Sequence, residues 1–276
     1  MVDVVLITGC SSGIGRATAL RLAASGYLVY ATARNLESVA DLAAAGCRTL
    51  SLDVTDEQSM TAAVAEIEQE HGAVDVLVNN AGYGQYGAIE QLAIEDLRAQ
   101  FETNVFGAVR LAQLVLPAMR ARHRGRILNI SSMGGRTTLP GGGAYHASKY
   151  ALEAISDALR MEVRSFGIYV VLIEPGIVRT PWADAARPGS TDSGDDPYGG
   201  YLNAVEQSFS NAYEGSMARL SISAEQVAEV ILKAIRGRRP RPRYLISPMA
   251  KSLVLLDTVL PDRLHDRVLK WQYKLP

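Results

Sequence analysis

The sequence predicts an α/β fold in which a doubly wound sheet of seven mostly parallel strands carries helices on both faces. Three observations lead to it. Short runs rich in β-branched residues recur along the chain, with longer stretches of helical periodicity between them. Most of these runs are continuously apolar rather than alternating, as strands covered on both faces are. The first run enters a glycine-rich turn, TGCSSGIG at 8–15, that opens the first helix. Repeated βα units with right-handed crossovers give a parallel sheet.

Taken in order, VVLIT (4–8) is the first strand, and GRATALRLAASG follows as a helix that Gly26 stops. YLVYAT (27–32) and RTLSLDV (48–54) come next, then a helix over 56–70 and the strand VDVLVNN (74–80). A helix over 98–123 leads to RILNIS (126–131), and one over 143–166 leads to YVVLIEP (169–175). Residues 181–200 break this rhythm with a run of Gly, Pro, Asp and Ser. A long loop past the C-terminal end of a strand lies where open sheets bind ligands. With the helix near 201–213 it reads as a mobile substrate cover, an insertion of about 181–220. A helix over 224–236 and the strand RYLIS (243–247) complete the sheet. An extension over about 248–276 then holds two short helices separated by Pro261. Its apolar residues at 253, 255, 256, 259 and 260 leave three covers open: the substrate entrance, a neighbouring subunit or a membrane surface. No fixed-period repeat and no linker interrupts the chain, which reads as one domain over 1–276.

The 276 residues are 48% hydrophobic and 21% charged, an ordinary globular balance. A net charge of −1 argues against capture of nucleic acid or anionic membrane by the molecule as a whole. RGRRPRPR at 236–243 therefore reads as a solvated loop rather than a nucleic-acid patch. Cys10 and Cys47 follow no metal or disulfide spacing, so no metal site and a reduced, cytoplasmic compartment are expected. VVLI lacks a basic leader, and SLVLL at 252–256 is too short to span a bilayer, although a peripheral contact stays open.

Chemistry begins at the first turn. Gly9, Gly13 and Gly15, with Ser11, Ser12 and Ile14 between them, let the backbone approach a bulky anion at the positive end of a helix. A pyrophosphate is the natural ligand. At the end of the second strand an acid would bind the ribose 2′-OH of NAD, whereas a base accommodates the 2′-phosphate of NADP. ATARN at 31–35 offers no acid and presents Arg34, with Arg16 as a second cation, so NADP(H) is expected over NAD(H). Asp53, followed by Val54, can accept from an adenine amino group, and Asp56 competes with it as a helix cap. Asn80, Ala81 and Gly82 of NNAG bring backbone groups along the cofactor. Pro175 and Gly176 free the backbone that follows the sixth strand to pin a nicotinamide carboxamide, with Val178 and Thr180 beyond.

AYHASKY at 144–150 places Tyr145 and Lys149 one helical turn apart. A nearby ammonium stabilises a phenolate, so Tyr145 can exchange a proton with a carbonyl or alcohol oxygen. Tyr150 does not align with the lysine, and His146 reads as a surface or packing residue. Ser132 is placed to orient a substrate oxygen, with Ser131 as its rival. Asn104 lies where a helix disfavours asparagine, and its amide can hold a water that links Lys149 to solvent. Tyr83, Met133, Leu139, Trp182, Tyr198 and Phe209 are the candidates for an apolar substrate pocket.

TGCSSGIG, LDV, NNAG, Asn104, Ser132, Tyr145-x3-Lys149 and EPG together resemble the short-chain dehydrogenase/reductase family over about residues 3–247. The resemblance implies a Rossmann-like seven-stranded sheet and NAD(P)-dependent carbonyl/alcohol chemistry. It also implies an Asn104–Ser132–Tyr145–Lys149 tetrad and the choice of Ser132 over Ser131. Lys149 would additionally hold the nicotinamide ribose. A homodimer or homotetramer is the family expectation. YATARN and the C-terminal extension look like the branches that handle hydroxysteroids and retinoids. The alternative is a non-catalytic, NADP-binding regulator of the same fold, which would be expected to have lost the tyrosine or the lysine.

Overall fold

In the computed structural model residues 2–182, 186 and 196–276 are described, and every element below belongs to them. Strand β1 (Val4–Ile7) and strand β4 (Val76–Asn79) bury every residue, which is why their sequences are apolar without alternation. With β2 (Leu28–Ala33), β3 (Arg48–Ser51), β5 (Gly125–Ile130), β6 (Ile168–Pro175) and a last strand, Arg243–Ile246, they form a seven-stranded sheet. Its order is β3-β2-β1-β4-β5-β6 followed by that last strand, and all six pairings are parallel. The order reverses between β1 and β4, so a crevice opens beyond their C-terminal ends.

The two faces of β1 enter separate cores. Val5 and Ile7 join Leu22, Val29, Val171, Val227 and Ile231 on one side. Val4 and Leu6 join Met60, Ile67, Leu111, Val115 and Ile127 on the other. Helix α1 (Gly13–Ala23) packs on the first face and α2 (Glu57–His71) on the second. The Asp56 carboxylate caps α2, accepting from the N–H groups of Gln58 and Ser59.

The helix expected over 98–123 is three pieces: α3 (Ile94–Phe101), a π turn (Glu102–Phe106) and α4 (Gly107–Ala121). The Gly107 N–H reaches back five residues to the Glu102 carbonyl, and the wider turn re-aims Asn104. Helix α5 (Gly143–Glu162) ends four residues before the expected limit, and a short 3₁₀ turn, Arg164–Phe166, follows it. The chain then gives β7 (Val178–Arg179), α6 (Gly199–Tyr213), β8 (Ile222–Ser223) and α7 (Ala224–Arg236). It ends with β9, the last strand already named, α8 (Pro248–Val259) and α9 (Asp262–Tyr273). Strands β7 and β8 pair in parallel as a second small sheet. Most of 181–200, expected as a substrate cover, lies outside the described residues.

The arginine run at 236–243 is not one surface patch. Arg243 turns inward onto Glu153, Asp157 and Glu174. Among the described residues no helix is long and apolar enough to cross a membrane, and no His, Cys, Asp and Glu group could hold a metal ion.

Gly107 gives a test of this packing. A Cβ there would stand 2.4 Å from the Val54 carbonyl oxygen, so the π turn can approach the β3 loop only through a glycine. Helix propensity alone would make Gly107→Ala stabilising by about 1 kcal/mol. Denaturant unfolding should instead show a loss of roughly 1–3 kcal/mol from the forced displacement.

Candidate active site

A cavity of about 360 Å³ runs along the C-terminal ends of the strands. At one end it is lined by the glycine turn, Arg34, Asp53 and Val54, and at the other by Ser132, Tyr145 and Lys149. Gly9 adopts φ +71°, and a Cβ on it would lie 2.9 Å from the Ala81 Cα. The Asn80 amide fastens this turn, donating to the carbonyls of Thr8 (2.8 Å) and Gly9 (3.0 Å). Gly15 lies behind the turn rather than on the cavity, where a Cβ would meet the Gly9 carbonyl at 2.3 Å. Its part is close packing of helix against loop, a correction to the expected cofactor contact.

Ser12 makes no side-chain cap bond, so the first N–H groups of α1 are left for another acceptor. Thr180 leans over Gly13, and Pro175, Gly176 and Val178 continue the wall. Arg34 is exposed on the rim without a carboxylate partner among the described residues. Arg16 is committed to Asp41 instead. One oxygen of Asp53 accepts from the N–H (2.9 Å) and hydroxyl (2.8 Å) of Thr55, and the capping task falls to Asp56. A glycine cradle, a free helix N-terminus and an unpaired guanidinium fit a dinucleotide.

At the other end Ser132, on the turn after β5, shares a hydrogen bond with the Tyr145 phenol and accepts from the Gly134 N–H at 3.0 Å. Ser131 is buried, and its hydroxyl has no partner among the described residues. Lys149 places its Nζ 5.8 Å from the centre of the Tyr145 ring and donates to the Ile130 carbonyl at 2.9 Å. Burial lowers the Lys149 ammonium to about 8, with the charge of Glu153 opposing the shift. Tyr145 moves the other way: burial pushes its phenol up to about 12, against the Ser132 hydrogen bond. Burial thus opposes the acidifying effect expected from the lysine. One N–H of the ammonium is held by a backbone carbonyl, and burial of Tyr145 favours its neutral form.

Asn104 is buried between the loop after β4 and α5. Its Oδ1 accepts from the Tyr83 N–H (3.1 Å), and its Nδ2 donates to the Tyr83 carbonyl (2.9 Å) and the Ser148 hydroxyl (3.0 Å). The amide fastens the loop after β4 to α5.

Of the pocket candidates, Tyr83, Met133, Leu139 and Trp182 line the cavity. Tyr198 does not, because its hydroxyl donates to Glu90 at the surface. Phe209 stands one layer back, 5.5 Å from the Tyr86 ring. Sequence reasoning missed Tyr86, which stacks 5.9 Å from Tyr145, and Tyr213. Gly84 and Gly142 make the seats of this aromatic group. A Cβ on Gly84 would meet the Trp182 ring at 2.6 Å, and one on Gly142 would meet His146 at 2.5 Å and Tyr86 at 3.0 Å. His146 is a buried packing residue, its Nδ1 3.0 Å from the Gly134 carbonyl and its pKa lowered to about 4 by burial.

Below Lys149, Glu153 and Glu174 are buried together. Arg243 Nε lies 3.0 Å from Glu153 and 3.1 Å from Glu174. Burial, then the charge of Glu153, pushes the Glu174 carboxyl up to about 7 against Arg136 and Arg243. Tyr145, Lys149, Glu153 and Asp157, four residues apart each time, thus form one polar edge of α5.

The family model for short chain dehydrogenases matches residues 3–190. The chain belongs to the short-chain dehydrogenase/reductase family. A probable short-chain type dehydrogenase/reductase of Helicobacter pylori, VdlC, is 35% identical over 96% of this chain and 96% of its own length. A 3-ketodihydrosphingosine reductase of Bacteroides thetaiotaomicron is 35% identical over 99% and 98%. Mouse 17-beta-hydroxysteroid dehydrogenase type 1 is 39% identical over 94% and 78%. Among solved structures, a short-chain dehydrogenase of Streptomyces avermitilis superposes with a TM-score of 0.80 at 34% identity, covering 98% of this chain and 96% of that one. A family member from Burkholderia phymatum in complex with NAD gives 0.79 at 27% identity, covering 92% of each chain. A metagenomic member in complex with NADP gives 0.69 at 27%, covering 88% of this chain and 96% of that one. The oxidoreductase family and the Rossmann-like sheet expected from the sequence are both found.

The buried amine of this family member carries a stability cost with a defined pH signature. An ordinary lysine holds its proton up to about 10.5, whereas Lys149 releases it near 8. As pH falls through that interval the unfolded chain gains a proton that the folded chain does not, so folding weakens and the cost is complete below about 8. Lys149→Met should therefore unfold at higher temperature than the parent at pH 7. That advantage should shrink as pH rises toward 10.5, as calorimetry at the two pH values would measure.

Proposed function

We propose that this chain is an NADP(H)-dependent oxidoreductase that interconverts a ketone or aldehyde with its alcohol on a largely apolar small molecule. Tyr145 is the proton donor and acceptor. The observation that carries this reading is one continuous cavity with a glycine cradle at one end and the Ser132–Tyr145 hydroxyl pair among aromatic rings at the other. The bound nicotinamide supplies or takes the hydride at the reacting carbon.

The chain's own residues account for the rest. Gly9, Gly13 and the first N–H groups of α1 would hold the diphosphate, and Asp53 and Val54 would take the adenine. Backbone from Asn80 to Gly82 and from Pro175 to Val178, with Thr180, would hold the remainder of the cofactor. Ser132 presents its hydroxyl to the substrate oxygen alongside Tyr145. A phenol kept neutral by burial is equipped to give its proton to a carbonyl oxygen as negative charge develops there. The phenolate left behind is stabilised by the ammonium of Lys149, which is itself closer to neutrality than an ordinary lysine. Asn104 is a positioning residue, holding Tyr83 and Ser148 beside this pair. The aromatic walls of Tyr83, Tyr86, Trp182 and Tyr213 suit an apolar substrate body. Relatives named for a ketosphingosine and for hydroxysteroids agree with that class.

Several solved neighbours carry NADP or NADPH and another carries NAD, so the preference rests on Arg34. It is exposed just after β2, unpaired among the described residues, where a 2′-phosphate would lie.

Two measurements test the reading. Tyr145→Phe should lower turnover of an apolar ketone about 10²- to 10⁴-fold, with cofactor affinity by fluorescence titration unchanged. Arg34→Ala should raise KM for NADPH about ten- to a hundredfold and leave that for NADH in place. Near-parental turnover in the first variant, or equal effects on both cofactors in the second, would contradict the assignments.

A further inference from the structure

The C-terminal helices have a face that the chemistry above does not use. On α8, Leu255 is 61% exposed, Leu256 41% and Val259 62%; on α9, Leu264 is 41% and Trp271 81% exposed. Seven residues separate Leu264 from Trp271, so they share one side of α9. Arg263, Arg267, Lys270 and Lys274 follow at intervals of four, three and four, forming a row about 60–120° around the helix from that apolar line. All four are exposed, and none is ion-paired among the described residues. Many other surface arginines are matched, as Arg16 is with Asp41, Arg21 with Glu229 and Arg110 with Glu57. Asp262 and Asp266 fall about 160° from the apolar line. Arg267, Lys270, Lys274 and Leu275 line a shallow groove around Trp271.

We propose that α8 and α9 dock this face on an anionic lipid surface, with the apolar line entering the headgroup boundary and the basic row lying on the phosphates. An exposed tryptophan beside a row of free cations is complementary to such an interface. A second copy of the chain is the poorer occupant, because a two-fold contact would set the same basic row against itself. The net charge of −1 does not oppose the docking, since the row is local and its field decays within a Debye length. The opposite side of α9 carries Tyr273, half-buried and with its phenol pushed up to about 12 by desolvation, and α9 packs on α6, whose Tyr213 lines the cavity. One helix thus separates the lipid-facing surface from the substrate chamber, and docking brings the chamber to where apolar molecules concentrate. This inference goes beyond the proposed chemistry, and its test needs no turnover.

The test mixes the full-length chain with phosphatidylcholine vesicles that contain or lack phosphatidylglycerol and measures the bound fraction by co-sedimentation. Binding should require phosphatidylglycerol and fall as salt rises. It should drop about tenfold or more in the double variant Arg267→Glu, Lys270→Glu. Brominated lipids should quench fluorescence of the parent but not of Trp271→Phe, in which Trp182 is the remaining tryptophan. Neither set of substitutions reaches the cavity, so thermal unfolding and cofactor affinity should match the parent. No binding at low salt, binding indifferent to lipid charge, or a lipid-free dimer abolished by the double variant would overturn the proposal.

Discussion

A lysine ammonium held in the dry interior by one backbone carbonyl is the constraint on which the site depends. Ile130 is the last residue of β5, and its carbonyl takes the proton-bearing end of Lys149 at 2.9 Å. That bond fixes the rotation of α5 against the sheet. With the rotation fixed, Tyr145 one turn earlier must face the cavity, and Glu153 one turn later must enter the protein. The charge of Glu153, itself held by the guanidinium of Arg243, keeps the amine protonatable in a place that disfavours it.

The cofactor end relies on close approach rather than charge. Gly9 and Gly15 allow a helix, a turn and the loop after β4 to meet with less than a methyl group between them. The Asn80 amide ties that contact from the side. The same device recurs at the substrate end, where Gly84 and Gly142 admit the rings of Trp182, Tyr86 and His146. Both halves of the cavity are therefore shaped by absent side chains. Substitutions there would change the space without removing a functional group.

Much of this was legible in the sequence because its signals are local. Short β-branched runs, most of them continuously apolar, identified the seven strands. The four-residue interval identified the Tyr145–Lys149 edge, and the glycine turn announced itself by lying between a strand and a helix. What was not legible depends on contacts distant in the chain. Two-residue strands such as β7 and β8 have no period to detect. The π turn at 102–106 follows from Gly107 meeting Val54, some fifty residues earlier. Tyr86 looks like any loop tyrosine until Gly142 and Phe209 are placed beside it. Tyr198 looked like a pocket residue but finds Glu90 first. The Tyr145 phenol was expected to be acidic because spacing reveals a neighbouring amine. Burial, which opposes that effect, is a property of the whole fold.

The electrostatic account is tested most directly by following the Lys149 side chain itself. NMR titration of its Cε or Nζ in the cofactor-free protein, assigned by comparison with Lys149→Met, should show a transition near 8, well apart from the other lysines. A transition at the ordinary 10.5 would mean that the amine is solvated, and the buried ammonium at the centre of this account would not exist.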